Sequence, residues 1–77
     1  MTEKIQLDTS GLLCPEPVML LHKAVRAMTA GDVVEVTATD PSTERDIPKF
    51  CHFLGYKLLS SDQEKGIYTY IIEKNKG

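Results

Sequence analysis

A chain of 77 residues, 42% apolar and 26% charged, has the balance of an ordinary globular protein. At that length only about 60% of the surface exposed by the unfolded chain is buried on folding, so the expected core is small and belongs to one domain spanning residues 1–77. A formal net charge of −2 argues against direct nucleic-acid binding, because such binders neutralise phosphates with surplus Lys and Arg.

The opening run Met1-Thr2-Glu3-Lys4-Ile5 lacks the apolar stretch of a signal peptide, and no later run approaches the roughly 18 apolar residues of a membrane helix. A cytoplasmic location without membrane contact is the expectation. Two cysteines, Cys14 and Cys51, are too few for a disulfide framework. His22 and His52 lie far apart and no CxxC pair is present, so neither a metal site nor a cofactor is expected.

In chain order, Lys4-Ile5-Gln6-Leu7-Asp8 alternates like a strand with one buried face, and Thr9-Ser10-Gly11 breaks it. From Cys14 the rhythm becomes helical, with Val18, Leu21, Val25 and Met28 on one face. Pro15 suits the first helical position, Pro17 is tolerated in the first turn, and Gly31 suits a left-handed cap at the helix end. Val33 to Thr39 is rich in β-branched residues and reads as a buried strand; with the first strand and helix it makes a βαβ unit. Asp40-Pro41-Ser42-Thr43 is turn and cap chemistry before a second helix, which sets Ile47, Phe50, Cys51 and Leu54 on one face and ends at Gly55. Pro48 obscures where that helix begins. Lys57 to Ser60 and Ile67 to Ile72 then read as a hairpin around Gln63-Glu64-Lys65-Gly66.

The order βαβαββ implies a two-layer α/β (α+β) sandwich: a four-stranded mixed sheet with two helices packed on one face. The uncovered sheet face is expected to be the more polar, with Thr and Tyr residues of the last strand contributing to it.

Cys14 carries the chemistry. A cysteine before proline at a helix start lies near free backbone N–H groups and the positive end of the helix dipole, which favour a thiolate. Pro15 and Pro17 lack N–H groups, leaving Glu16 and Val18 as donors near the sulfur in a stiffened turn. The Glu16 carboxylate opposes thiolate formation, so a modest depression of the Cys14 pKa is expected. The bland alternative is a small buried apolar residue, which the loop-and-proline context disfavours. Cysteine-hydrolase chemistry needs a fixed general base, and His22, two turns along the helix, is a doubtful one. Transfer between thiols needs no such base. Cys51, among Ile47, Phe50 and Leu54, reads as core, and Asp40 and Asp46 as turn and helix-cap residues.

The run Asp8-Thr9-Ser10-Gly11-Leu12-Leu13-Cys14-Pro15-Glu16-Pro17-Val18, with Ala38-Thr39-Asp40-Pro41-Ser42-Thr43 and Asp46-Ile47-Pro48-Lys49-Phe50-Cys51, resembles the TusA/SirA-like sulfur carriers and their CPxP motif. The resemblance implies that Cys14 accepts sulfane sulfur as a persulfide from a cysteine desulfurase and relays it to an acceptor protein, most often toward 2-thiouridine in tRNA. It implies a sulfurtransferase-type carrier with no stand-alone turnover. Related branches serve molybdenum-cofactor synthesis, sulfur oxidation or selenium metabolism, and an RNA-binding or regulatory module of the same fold is the alternative from another class. A monomer suffices for the carrier role. Around the thiol, Glu16, Met19, His22, Arg26 and Phe53 are the expected partner-binding residues: Met19 falls opposite the core face of the first helix, ringed by charge, and Phe53 extends that patch from the second helix.

Overall fold

Alternation of apolar and polar residues produces the strands, and in the computed structural model, which describes residues 4–75, these are β1 Lys4–Thr9, β2 Val33–Ala38, β3 Lys57–Glu64 and β4 Ile67–Glu73. Residues 1–3, part of the run read above as lacking a signal-peptide core, and residues 76 and 77 lie outside the described residues. The sheet order is β1-β2-β4-β3; β1 and β2 are parallel, and β4 is antiparallel to both β2 and β3. Helices α1 Glu16–Arg26 and α2 Thr43–Leu54 complete the order βαβαββ.

The two central strands alternate most clearly. Val34, Val36 and Ala38 of β2 and Tyr68, Tyr70 and Ile72 of β4 are buried on the helix side, where they meet Leu21 and Val25 from α1, Met28 just beyond its end, and Ile47 and Cys51 from α2. Tyr68 and Tyr70 therefore do not contribute to the open face as the composition of β4 suggested. Thr69 does, because it alternates with them. Tyr70 is admitted to the core because its hydroxyl has a partner, the Thr43 Oγ1 at 2.9 Å. The Thr43 hydroxyl donates its own proton to the Asp40 carbonyl at 2.7 Å, so the tyrosine is the donor of the pair.

Several boundaries differ from the sequence reading. Pro15 is the N-cap of α1 rather than its first helical residue, and Pro17 is buried. Helix α1 ends at Arg26 with Ala27 as a right-handed C-cap; Gly31, at φ +97°, lies in the following loop, where its N–H reaches the Lys74 carbonyl at 2.7 Å. The Ala27 and Met28 N–H groups close the last turn of α1 on the Ala24 and Val25 carbonyls, and the Lys74 ammonium, from beyond β4, adds bonds to the carbonyls of Val25 and Met28 at 2.7 and 2.9 Å. Helix α2 runs through Pro48, forgoing one backbone bond, and closes on Gly55 in the left-handed conformation as expected. Strand β3 continues beyond Ser60 to Glu64 across a bulge between Leu58 and Ser60, and the hairpin turns tightly at Lys65 and Gly66, both at positive φ.

Cys51 is 2% exposed, and burial pushes its thiol up from the usual 9.0 to about 11. A thiol whose pKa is raised by folding keeps more protons in the folded than in the unfolded state, so stability is unaffected below pH 9.0 and falls as pH rises toward 11. Urea denaturation of the wild type should lose about 2–3 kcal/mol more between pH 8 and 11 than Cys51→Val, which has no ionisable group there. Parallel losses in the two proteins would contradict this account.

Candidate functional site

The site lies at the C-terminal ends of the parallel strands, where the β1–α1 and β2–α2 loops meet. The β1–α1 loop is pinned from both sides. Thr9, fully buried, donates its hydroxyl to the Thr37 carbonyl at 2.8 Å, and the Gly11 N–H reaches the Thr39 hydroxyl at 2.8 Å. Gly11, at φ +82°, turns the chain back, and the Leu12 N–H closes on the Thr9 carbonyl at 3.1 Å. Cys14 follows, its backbone N–H donated to Asp40 Oδ2 and its peptide bond to Pro15 cis.

Asp40, only 9% exposed, holds the β2–α2 loop together at the same time. Its carboxylate accepts from the Ser42 N–H at 3.0 Å and the Ser42 hydroxyl at 2.9 Å as well as from Cys14. These bonds to the ionised form, first that from Ser42 and then that from the Cys14 N–H, hold its carboxyl below the ordinary range. The sequence reading of a turn residue was correct as far as it went; the additional role, binding the loop that bears the cysteine, joins residues 26 apart in the chain.

The sulfur itself is exposed, and its surroundings reverse the expected modest depression of its pKa. Cys14 precedes the N-cap residue Pro15, and the Glu16 N–H is taken by the Leu13 carbonyl at 2.9 Å, so that donor does not serve the sulfur. The partner of Sγ is Asp46 Oδ2, 3.2 Å away on α2. Accepting the thiol proton, Asp46 raises the Cys14 pKa above its ordinary value; the Ser42 hydroxyl works in the opposite sense, while slight desolvation and the charges of Asp46 and Asp40 add to the rise. The opposing carboxylates are thus Asp46 and Asp40, not Glu16. Asp46, read from sequence as a cap, has its other oxygen near the Arg45 guanidinium, with Nε···Oδ1 at 3.3 Å.

Beside the thiol runs an apolar groove of about 360 Å³ lined by Pro15, Val18, Asp46, Lys49, Phe50 and Phe53. Pro15 and Val18 at the start of α1 face α2 here, and Phe53, 86% exposed, stands on the groove wall. Met19 is 62% exposed and, like Glu16, His22 and Arg26, projects from α1, but it is not part of that lining. His22 is placed against Phe50, ring centroids 5.8 Å apart and edge-on, and Phe50 in turn meets Tyr56 edge-on at 6.1 Å. Among the described residues no cluster of three or more His, Cys, Asp or Glu side chains is arranged to hold a metal ion. No helix there is long and apolar enough to cross a membrane.

Residues 5–74 match the family described as sulfurtransferase TusA. The chain belongs to the TusA family. Among its TusA relatives, the sulfur carrier protein TusA of Pseudomonas entomophila (strain L48) is 63% identical over 68 residues, covering 88% of this chain and 85% of that protein. The sulfur carrier protein TusA of Pseudomonas syringae pv. syringae (strain B728a) is 54% identical over 74 residues, covering 96% and 88%. The crystal structure of a SirA-like protein from Desulfitobacterium hafniense matches with a TM-score of 0.79 at 26% identity, over 94% of this chain and 99% of that one.

Substituting Asp46→Asn keeps the side-chain shape and removes the charge that retains the thiol proton. The pH profile of Cys14 alkylation by iodoacetamide should shift to lower pH, with a severalfold faster rate near neutrality. An unshifted profile in a folded variant would show that Asp46 does not govern the thiol.

Proposed function

We propose that this TusA-family protein is a persulfide sulfur carrier in which Cys14 accepts sulfane sulfur from a cysteine desulfurase and passes it to a cysteine of a relay protein, in the cytosolic route to 2-thiouridine in tRNA. The observation that carries the reading is an exposed thiol, held by its backbone on a pinned loop, in a chain whose relatives are named sulfur carrier proteins.

Carrying sulfur requires little from the carrier beyond presentation. The sulfur of Cys14 attacks the terminal sulfur of the donor's persulfide; a new S–S bond forms at Cys14 as the donor's S–S bond breaks. The donor sulfur leaves with the bonding electron pair and ends as a thiol with the proton Cys14 gave up. One thiol and one persulfide exchange places, with no net oxidation or reduction and no cofactor. The second transfer, onto the acceptor cysteine, repeats the step in reverse roles. An exposed sulfur beside an apolar groove that includes Phe53, Asp46 and Lys49 supports docking of two successive partners, and in this reading the exposed residues Glu16, Met19, His22 and Arg26 along α1 extend the contact surface away from the sulfur. A monomer presents all of this.

Incubation with a cysteine desulfurase and cysteine, followed by mass spectrometry, should add one sulfur to the Cys14 peptide. Cys14→Ser should add none yet remain folded, since the loop is held through the backbone N–H of residue 14 rather than through its sulfur. Cys51→Ala should still load, at the cost of about 1–2 kcal/mol of stability for the lost core atom. Sulfur acceptance by Cys14→Ser, or its loss in Cys51→Ala, would overturn the assignment.

A further inference from the structure

The carboxylate facing the reactive sulfur is the feature that simple presentation does not require. The Cys14 thiol donates to Asp46 Oδ2 at 3.2 Å, and Arg45 lies 3.3 Å from the other carboxylate oxygen. A thiol has a proton to give to this oxygen; a sulfur that has taken on a second sulfur does not. Once Cys14 is loaded, Sγ is bonded to carbon and sulfur, the hydrogen bond at Sγ is lost, and the outer sulfur, more acidic than a thiol, brings negative charge to a place already faced by Asp46 and Asp40. The charged groups near it come from the β2–α2 loop, with Asp40, and from α2, with Asp46 at the sulfur, Arg45 on the far oxygen of Asp46 and Lys49 on the groove wall; Glu16 opens α1 two residues after Cys14.

Resting on the carrier reading above, we propose that Asp46 is a positioning residue that favours the empty carrier over the loaded one, raising the tendency of Cys14 persulfide to give up its sulfur to an acceptor thiol. In the empty state it holds the thiol in its protonated, oxidation-resistant form. In the loaded state it offers only repulsion. The transfer it promotes is the balanced exchange already written: the bond between Cys14 Sγ and the outer sulfur breaks, the bond from the acceptor sulfur forms, Sγ leaves with the electron pair, and the proton released by the acceptor thiol restores the S–H that Asp46 accepts.

The test compares the wild type and Asp46→Asn, each loaded chemically with inorganic polysulfide and equilibrated with glutathione as the acceptor thiol. Mass spectrometry of alkylated samples then gives the ratio of persulfide to thiol on Cys14. The equilibrium constant for transfer to glutathione should fall about two- to fivefold in Asp46→Asn, the size expected for one charge at an exposed site. The gap should narrow in high salt, which screens charge and would not alter a purely structural effect. Equal constants, or a gap that ignores salt, overturn the proposal. Should Asp46→Asn fail to fold, Asp46→Ser, also uncharged, carries the same comparison. Because polysulfide loading needs no protein donor, failure of the carrier reading is distinguishable: neither protein would then take sulfur from the desulfurase, whatever the glutathione equilibrium shows.

Discussion

The arrangement around the sulfur depends on the buried carboxylate of Asp40. Its oxygens take the Cys14 N–H from one loop and the Ser42 N–H and hydroxyl from the other, and its carbonyl takes the Thr43 hydroxyl. Thr43 is tied in turn to Tyr70, a fully buried residue of central strand β4. A continuous path of hydrogen bonds thus runs from the core of the sheet to the backbone of the reactive residue. Each bond to the carboxylate is charge-assisted, and a partner removed from a buried network leaves the others unsatisfied, so rigidity is transmitted along the path.

That rigidity lets the sulfur remain exposed without the loop being loose. The backbone of Cys14 is fixed by Asp40, while its side chain, opposite Asp46, stays open to solvent. Separation of the two duties between backbone and side chain follows from parallel strands β1 and β2 ending together, since this brings their following loops side by side. Lys74 performs a related service at the opposite end of α1, fastening the helix C-terminus to the end of β4. The helix is fixed at both ends by residues from other parts of the chain, although its own sequence supplies no side-chain cap.

Element order, sheet composition and nearly all of the core were legible because they rest on periodicity: Leu21, Val25 and Met28 or Ile47 and Cys51 recur at helical spacing, and the β-branched run of β2 is unmistakable. Boundaries that depend on partners elsewhere were not. Gly31 is the residue type of a helix cap, but α1 closes earlier, on the Ala27 N–H, with an added bond to the Val25 carbonyl from Lys74, 49 residues away. Tyr68 and Tyr70 read as surface residues until Thr43 supplies one of them with a buried acceptor. At the site, the exposure of Cys14 was legible from its loop-and-proline context, whereas its pairing with Asp46 was not, although a signal existed. Asp46, Lys49, Phe50 and Phe53 recur at i, i+3, i+4 and i+7, a second stripe on α2 beside the core stripe, and it is this stripe that faces Pro15 and Val18.

The electrostatics at the thiol show why motif context alone gave the wrong direction for its pKa shift. A helix N-terminus stabilises an anion through free N–H groups directed at it, and the effect falls off within the first turn. Here the cysteine stands outside the N-cap, two prolines contribute no N–H, and the Glu16 N–H is committed to Leu13. What remains of the dipole competes with a carboxylate at hydrogen-bond distance, and the carboxylate wins because it is nearer and carries a full charge. An enzyme that needed a permanently activated nucleophile would be poorly served by this balance. A sulfur carrier needs no permanent activation of this kind, because transfer between thiols is an exchange of chemically similar sulfurs that calls for no fixed base.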